Sequence, residues 1–211
     1  RTDPLNQTTT TQYDAIGNAI ALTDALGQKT RYSYDALNRQ TTVTDALNRT
    51  TTTTYDAVGN VLSITDPVGN RTSYSYDVLD RLVTDTNALG KSRTYQYDAV
   101  GNRIAATDRN GRQRSFTYDA LDRQTAEKWL DANGNPIRTI NYNYDAASQL
   151  TAAGDPNSTY TYAYDLAGRL TSVNNAGTPG VPKVVLGYTY DAVGNRLSVT
   201  DTINGQLKGT E

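Results

Sequence analysis

The stretch Tyr55-Asp56-Ala57-Val58-Gly59-Asn60 decides the architecture of this chain, because close copies of it recur along the whole sequence. A Tyr-Asp pair opens each copy, and the first six pairs are spaced by 21 residues each. A fixed period of this size is typical of repeat proteins, in which each unit contacts mainly its neighbours. The pairs that we take as the structural repeat motif are Tyr13-Asp14, Tyr34-Asp35, Tyr55-Asp56, Tyr76-Asp77, Tyr97-Asp98, Tyr118-Asp119, Tyr144-Asp145, Tyr164-Asp165 and Tyr190-Asp191.

Each repeat holds a second turn about ten residues later, as in Thr65-Asp66-Pro67-Val68-Gly69. Both kinds of turn read Asp, then Ala or Pro, then an aliphatic residue, then Gly or Asn. Asp at the first position of a type I turn accepts a hydrogen bond from the backbone two residues on, and Gly or Asn tolerates the left-handed conformation at the fourth. We expect the aliphatic third residue to tuck back under the turn, as at Ile16, Val58, Val100 and Val193.

Between the turns, side chains alternate with period two, as in Tyr32-Ser33-Tyr34. Each repeat is therefore predicted to be a β-hairpin, with Tyr, Val, Ile and Leu on one face and Thr, Ser, Gln and Arg on the other. Stacked hairpins would align the motif tyrosines in one row and the motif aspartates in a second. A third row is predicted for the arginines just past the Tyr-Asp turn, namely Arg39, Arg81, Arg103, Arg123, Arg169 and Arg196.

The predicted fold is all-β, with tandem hairpins stacked into one long curved antiparallel sheet. A β-propeller is the alternative, because two repeats supply the four strands of a blade. We predict a single repeat array over residues 1–211, regular over 13–138 and irregular over 139–211. Insertions at 129–136 and 174–182 fall at the Thr-Asp turn, so longer loops should project from the edge opposite the Tyr-Asp turns. After Asp201 we expect the pattern to fray through Gly205 and Gly209.

Composition excludes several classes of function. The chain has no His and no Cys, which rules out a Ser-His-Asp triad, thiol chemistry, His-based metal catalysis and disulfides. Net charge is −2, with no basic stripe for nucleic acid. Turn capping explains nearly every Asp, so we predict no catalytic residue, no cofactor and no enzyme. Asp131-x-Asn133-x-Asn135 has the spacing of a calcium loop but lacks its Gly and terminal Glu, so we predict a polar turn and no metal.

The ends of the sequence bear on its context. Residues 1–11 are polar, so no signal peptide is visible, and no apolar run is long enough for a transmembrane helix. The chain starts and stops in mid-pattern, which indicates a segment of a longer protein.

The recurring motif, as in Tyr97-Asp98-Ala99-Val100-Gly101-Asn102-Arg103-Ile104, resembles the RHS/YD-repeat family, and the resemblance extends from about Thr2 to Asp201. The family includes bacterial RHS toxins, the B and C components of insecticidal toxin complexes and the teneurins. The resemblance implies a strip of hairpins that spirals into a hollow shell, which in the bacterial members encloses a C-terminal toxin. It also implies a secreted or bacterial cell-surface protein.

From the resemblance we take the leading hypothesis, a structural segment of such a shell whose Tyr face points inward. The implied partners are neighbouring repeats of a longer parent chain, or a second copy, through exposed edge strands, together with an enclosed toxin domain. The alternative is a module that binds carbohydrate or a cell surface through the Tyr face or the inserted loops. Asp155-Pro156-Asn157-Ser158 departs after Pro from the Asp-Pro-x-Gly-Leu of the self-cleaving members, so no self-cleavage is predicted.

Overall fold

The computed structural model describes residues 2–4, 7–175 and 178–210, which contain strands, turns and no helix. The strands are β1 (Thr10–Tyr13), β2 (Ala19–Thr23), β3 (Lys29–Tyr34), β4 (Gln40–Thr44), β5 (Thr50–Tyr55), β6 (Val61–Thr65), β7 (Arg71–Tyr76), β8 (Leu82–Thr86), β9 (Ser92–Tyr97), β10 (Arg103–Thr107), β11 (Gln113–Tyr118), β12 (Gln124–Leu130), β13 (Pro136–Tyr144), β14 (Leu150–Asp155), β15 (Ser158–Tyr164), β16 (Leu170–Asn174), β17 (Val184–Tyr190), β18 (Arg196–Ile203) and β19 (Gln206–Thr210).

The chain divides into two compact units, Arg1–Tyr95 with Asp108–Asn110, and Gln96–Thr107 with Gly111–Glu211. In the first unit, antiparallel pairing runs without a break from β1 to β9. In the second it runs from β10 to β19. The all-β fold of tandem hairpins is confirmed. The propeller alternative is wrong, because neither ladder breaks into four-stranded blades. The division into one array, regular over 13–138 and irregular over 139–211, stays a prediction.

Eight of the Tyr-Asp hairpins carry a β-bulge beside the turn. In the hairpin of β3 and β4, Ser33 pairs with Thr42, but Tyr34 pairs with Gln40, so Thr41 is the extra residue. The Thr41 hydroxyl donates to the Ser33 carbonyl at 3.2 Å. A bulge at the same place in these hairpins gives their motif tyrosines the same orientation at the end of the strand.

Apolar burial is slight. Among the described residues the buried apolar side chains are Ala21, Ala106, Phe116 and Ala126. Within each unit the described strands pair only with their sequence neighbours, so no second layer of described strands covers the Tyr face, and Ile64 on that face stays 37% exposed. Hydrogen bonds of the ladders and turns therefore contribute an unusually large share of the stability.

The prediction that aliphatic turn residues tuck under the turn is wrong. Ile16, Val58, Val100 and Val193 are between 70% and 84% exposed. The cause is the aspartate that opens the turn, because its Oδ1 fills the inside of the bend. In the turn after β5, Asp56 Oδ1 accepts the backbone N–H groups of Val58, Gly59 and Asn60 at 2.8–3.0 Å.

Both insertions lie at the Thr-Asp end of their hairpins, as predicted. The first lengthens β12 and β13 and ends them in an ordinary Asp-led turn, in which Asp131 N–H donates to the Asn135 carbonyl at 2.9 Å. The second is anchored by Asn175, whose Oδ1 accepts the Val184 N–H at 2.6 Å. Residues 176 and 177 of this insertion lie outside the described part of the chain.

The prediction of fraying after Asp201 is wrong. Strand β18 continues to Ile203 and pairs with β19 around an Asn204-Gly205 turn. Both turn residues are left-handed, with φ values of 50° and 80°. This is the geometry for which the Asn-Gly pair is favoured in two-residue hairpins.

Candidate functional site

The Tyr-Asp turns form a repeated edge built from the predicted motif residues. Each of the nine motif tyrosines is the last residue of its strand, and each motif aspartate begins the turn. In the turn after β3, Asp35 Oδ1 accepts the N–H groups of Leu37 and Arg39 at 2.9 and 3.0 Å. Asn38 is left-handed, with φ of 60°, and its N–H donates to the Asp35 carbonyl at 3.0 Å. This is the Asp-led bend that the sequence predicts.

The motif tyrosines join each hairpin to the one before it. The backbone ladder between β2 and β3 reaches Ala21 and Arg31 and stops there. Beyond that point the Tyr34 hydroxyl donates to the Ala19 carbonyl at 2.9 Å. The first residue of the second strand in the preceding hairpin is the acceptor in every such contact. The same bond, at 2.8–3.0 Å, is made by Tyr55, Tyr76, Tyr118, Tyr144, Tyr164 and Tyr190.

Replacing Tyr55 by Phe should lower the free energy of unfolding by about 1 kcal/mol, because the Gln40 carbonyl would lose its 2.8 Å hydrogen bond while the ring packing is kept. Urea denaturation followed by circular dichroism measures the change. Tyr13 is the matched control, since it is 62% exposed and its hydroxyl has no hydrogen bond within the described part of the chain. Tyr13→Phe should be neutral, and equal losses for the two variants would contradict this role of the hydroxyl.

The turns alternate between two kinds, which differ in their fifth residue. We call those that end in Asn or Gln asparagine turns and those that end in Arg arginine turns. The asparagine turns are Asp14–Asn18, Asp56–Asn60, Asp98–Asn102, Asp145–Gln149 and Asp191–Asn195. The arginine turns are Asp35–Arg39, Asp77–Arg81, Asp119–Arg123 and Asp165–Arg169. The two kinds follow one another strictly along the chain, so the full structural period is two hairpins.

An arginine turn bonds to the asparagine turn that follows it. Arg39 Nε donates to its own Asp35 at 2.8 Å, and Arg39 Nη1 donates to the Asp56 carbonyl of the next turn at 2.6 Å. The guanidinium lies over the Tyr55 ring, 4.8 Å from its centroid. Arg123 and Arg169 make the equivalent three contacts to the turns at Asp145 and Asp191.

The predicted row of six arginines is therefore wrong in two of its members. Arg103 and Arg196 lie one residue later, as the first residues of β10 and β18. The Arg103 guanidinium lies over the Phe116 ring, 5.2 Å from its centroid. The arginines at the turn position are Arg39, Arg81, Arg123 and Arg169, each in an ion pair with its own motif aspartate.

An asparagine turn bonds to the fourth residue of the arginine turn that follows it. Asn60 Nδ2 donates to Asp80 Oδ1 at 2.8 Å, and the pairs Asn18–Asn38 and Asn102–Asp122 are equivalent. These acceptors are left-handed residues other than glycine, which is uncommon. At the Gln149 turn the partner is Gly168, where a Cβ would come within 3.0 Å of the Gln149 amide nitrogen. The longer side chain is thus matched by the loss of its partner's side chain.

The turn hydrogen bonds also lower the pKa values of the aspartates. At Asp35 the Arg39 backbone N–H is the largest cause; desolvation opposes it, and the Arg39 side chain and Leu37 N–H reinforce it. At Asp165 the backbone and side chain of Arg169 lower the pKa. The pKa is also lowered at Asp14, Asp45, Asp56, Asp66, Asp77, Asp98, Asp119, Asp131, Asp155 and Asp191.

This repeated shift predicts steep loss of stability in acid. A carboxylate whose pKa is lower in the folded state stabilises the fold above the unfolded pKa of about 3.9, and the contribution is lost as the pH falls through the folded value. Urea midpoints should be flat from pH 7 to about pH 5 and then fall sharply below about pH 4. Removing one carboxylate with Asp56→Asn should lower the midpoint at pH 7 and make the acid slope shallower. A flat midpoint down to pH 2.5 would contradict the linkage.

A buried carboxylate lies on the Tyr face of the first unit, and it was not predicted from the sequence. Asp85 of β8 is 1% exposed and accepts hydrogen bonds from Arg93 Nε at 2.8 Å and from the Tyr95 hydroxyl at 3.2 Å. Arg109, in the turn after β10, forms a second ion pair with it. Arg109 Nε is buried without a hydrogen-bond partner among the described residues. The cluster holds one carboxylate between two guanidinium groups.

 The sequence did carry a signal for this cluster. One period earlier, the places of Asp85, Arg93 and Arg109 are taken by Ile64, Thr72 and Ala88, none of them charged. Two periods earlier, the place of Arg109 is taken by Pro67, which is also uncharged. A carboxylate at an apolar strand position, with arginines at positions that are uncharged in the preceding repeats, is a departure that indicates a buried ion pair.

The second unit carries a chain of charges and aromatic rings on its Tyr face. Glu127 accepts hydrogen bonds from Trp129 Nε1 at 2.8 Å and from Arg114 at 3.2 Å. The Arg138 guanidinium lies 5.4 Å from the Trp129 ring and pairs with Asp155 at 2.5 Å. Asp155 is 7% exposed, so its turn is held by this ion pair. The sequence shows the departure from the self-cleaving motif at Asp155, but the ion pair with Arg138 was not predicted.

The described residues offer neither a metal site nor a membrane-spanning helix. No group of three or more acidic side chains is placed to hold a metal ion within residues 2–4, 7–175 and 178–210. Asp131 instead caps its own turn, accepting the N–H groups of Asn133 and Asn135 at 2.9 and 2.8 Å. In the same described residues, no helix has the length and apolar character needed to cross a membrane.

Solved structures share this fold. A crystal structure of TcdB2-TccC3-TEV gives a TM-score of 0.64 at 14% identity, over 94% of this chain and 15% of that chain. The Tc holotoxin pore of Photorhabdus luminescens, with the TccC3 D651A mutation, gives 0.64 at 15% identity, over 96% and 15%. This chain thus spans about 15% of the length of the structures that it matches.

Sequence comparison agrees with the fold. No curated protein sequence matches the chain. The family model described as RHS Repeat matches residues 13–50, 55–92, 81–112, 97–128 and 144–179, which together cover well over half of the sequence. The alternating hairpins built on the Tyr-Asp motif therefore have a family, and this chain belongs to the RHS repeat family.

Proposed function

We propose that this chain is a stretch of wall in a larger hairpin shell that encloses a C-terminal toxin, and that it acts by containment and not by catalysis. The observation that carries the proposal is the uncovered Tyr face. Every motif hydroxyl with a described bond is used to join hairpins, yet Leu62 and Ile64 on that face stay 38% and 37% exposed. An apolar face of this extent favours contact with an enclosed chain.

The relatives support the same proposal. The shared fold is that of TcdB2-TccC3, which is part of a toxin complex in the structures named above. A wall segment needs partners at its edges, and we propose further repeats of a longer parent chain for that role. By the same argument the protein is secreted or displayed at the bacterial cell surface.

Photo-crosslinking in the parent protein tests containment. A crosslinking residue at position 64 replaces Ile64 on the Tyr face, and one at position 52 replaces the exposed Thr52 on the opposite face. We expect crosslinks to a C-terminal toxin domain from position 64 and none from position 52. Crosslinks from position 52 alone would reverse the assignment of the inner face. Crosslinks from neither position would overturn containment.

A second candidate, carbohydrate binding, is favoured by exposed aromatic rings on the Tyr face of the second unit. Trp129 is 41% exposed and Tyr160 is 46% exposed. Tyr160 lines a groove of about 230 Å³ together with Val173, Leu186 and Asn174. Exposed rings beside polar groups suit a sugar, which offers an apolar face and hydroxyls.

A glycan array tests this candidate. Specific binding that is lost in both Trp129→Ala and Tyr160→Ala, but kept in a control at the exposed Leu207, would support a glycan site. Absence of binding, or binding that survives both changes, would exclude these rings as the site.

A further inference from the structure

The first hairpin presents one half of the contact that joins successive turns elsewhere in the chain. Its turn, Asp14–Asn18, is an asparagine turn, and it uses the side that faces the next hairpin in the ordinary way, since Asn18 Nδ2 donates to Asn38 Oδ1 at 3.2 Å. On the side that faces away from the next hairpin, which we call the open side, no residue of another hairpin within the described part of the chain bonds to the Asp14 carbonyl or covers the Tyr13 ring. Tyr13 is 62% exposed, whereas the other motif tyrosines are only partly exposed.

The open side matches the surface that arginine turns cover. Asp56, Asp145 and Asp191 each receive a guanidinium on their backbone carbonyl, at 2.6, 3.1 and 2.8 Å. In the same three turns the arginine lies 4.8–4.9 Å from the ring of the adjoining tyrosine. Asp14 and Tyr13 are the equivalent carbonyl and ring of the first hairpin.

Residues ahead of β1 already adopt the geometry that would deliver such a hairpin. Asp3 N–H donates to the Gln7 carbonyl at 3.0 Å, as Asp24 N–H does to the Gln28 carbonyl at the same distance. The hydroxyls of Thr2 and Thr8 lie 3.1 Å apart, like those of Thr44 and Thr50 at 2.9 Å. A strand that ends at Thr2 is therefore directed antiparallel to β1.

We propose that the open side of the first hairpin is a docking surface for a hairpin with an arginine turn whose last strand ends at Thr2, and that it discriminates against a hairpin with an asparagine turn. An asparagine is too short to bond the carbonyl and cover the ring together. The fourth residue of an asparagine turn can be glycine, as at Gly17 or Gly59, and a glycine supplies no side-chain acceptor. The specificity comes from one guanidinium that donates a hydrogen bond to the backbone carbonyl and also lies over the tyrosine ring.

This inference goes beyond containment and does not depend on it, because it concerns how hairpins select their neighbours. The chain supplies its own matched probes. Residues 29–49 form a repeat with an arginine turn, and residues 50–70 form one with an asparagine turn. Either can replace residues 1–7 without a change of phase, since Lys29, Thr50 and Thr8 occupy equivalent places in the 21-residue period.

The test compares urea denaturation of the chain as it stands with three grafted forms: residues 29–49, residues 50–70, and residues 29–49 with Arg39→Gln in the graft. We expect the arginine graft to raise the ratio of folded to unfolded protein by about tenfold over the Arg39→Gln graft, which is the usual worth of a charge-assisted hydrogen bond. The asparagine graft should gain no more than the Arg39→Gln graft.

Hydrogen exchange locates the effect. The amides of residues 10–13 should gain protection with the arginine graft and little with the other two. A graft that fails to dock gives the stability of the ungrafted chain, so that result also counts against the proposal. Equal gains from the arginine and asparagine grafts, or no loss on Arg39→Gln, would overturn the claim of specificity. None of these measurements involves a toxin, so they leave the containment proposal untouched.

Discussion

Asp85→Ala is expected to lower the free energy of unfolding by about 3–5 kcal/mol, the largest loss from any single aspartate in this chain. The carboxylate is 1% exposed and lies between Arg93 and Arg109. Its removal leaves two guanidinium groups facing each other on a half-buried surface with no counter-charge. Urea denaturation at pH 7 measures the loss, with Asp45→Ala as the control. Asp45 also pairs with an arginine, Arg49, but at an exposed turn, so its loss should be smaller.

A triple variant separates charge imbalance from loss of packing. Asp85→Val, Arg93→Thr and Arg109→Ala together restore the residue types that stand at these places two or three periods earlier, Val43, Thr51 and Ala46. Replacing a buried ion cluster by apolar residues is often neutral or stabilising, so the triple variant should regain most of what Asp85→Ala loses. A triple variant as unstable as Asp85→Ala would show that the cluster stabilises the sheet in some other way.

Gly154→Ala is expected to cost about 2–4 kcal/mol, because the added methyl group has nowhere to go. Gly154 lies in β14 beside the turn at Pro156 and Asn157, with φ of 156°. A Cβ there would come within 2.1 Å of the Ser158 carbonyl oxygen and 2.6 Å of Thr159 Cα. Both are backbone atoms of the paired strand β15, so the hairpin itself has to shift.

A second strand glycine gives the matched control. Gly209 in β19 has no atom within 4 Å of the place that a Cβ would take, and its φ is not in the left-handed region. Gly209→Ala should therefore change the unfolding free energy by less than about 0.5 kcal/mol. Hydrogen exchange should show that Gly154→Ala loosens β14 and β15 first. Similar stability in the two variants would mean that the hairpin accommodates the methyl group without strain.

Local chemistry explains why the turns and strands could be predicted from the sequence. An aspartate that accepts the N–H groups two and four residues on, as Asp35 does, depends only on five consecutive residues. The alternation of Tyr32, Ser33 and Tyr34 is equally local. Once the period of 21 residues is known, these short-range rules apply to every copy.

The errors and omissions arose where distant residues decide the outcome. The exposure of Val58 follows from the position of the Asp56 carboxylate inside the bend, which a list of residue types does not give. The Asp85 cluster joins residues as much as 24 positions apart. The alternation of arginine and asparagine turns was visible in the sequence, but its meaning depends on contacts such as the one from Arg39 to the Asp56 carbonyl.

The strict succession of two kinds of turn has a consequence for how such chains can change in length during evolution. Gain or loss of a single 21-residue copy would place two like turns side by side. Where two asparagine turns meet, the amide of the first would face a residue that is glycine in most asparagine turns and offers no side-chain acceptor. Copies gained or lost in pairs preserve every contact. Tandem duplication in this lineage should therefore add or remove copies in pairs.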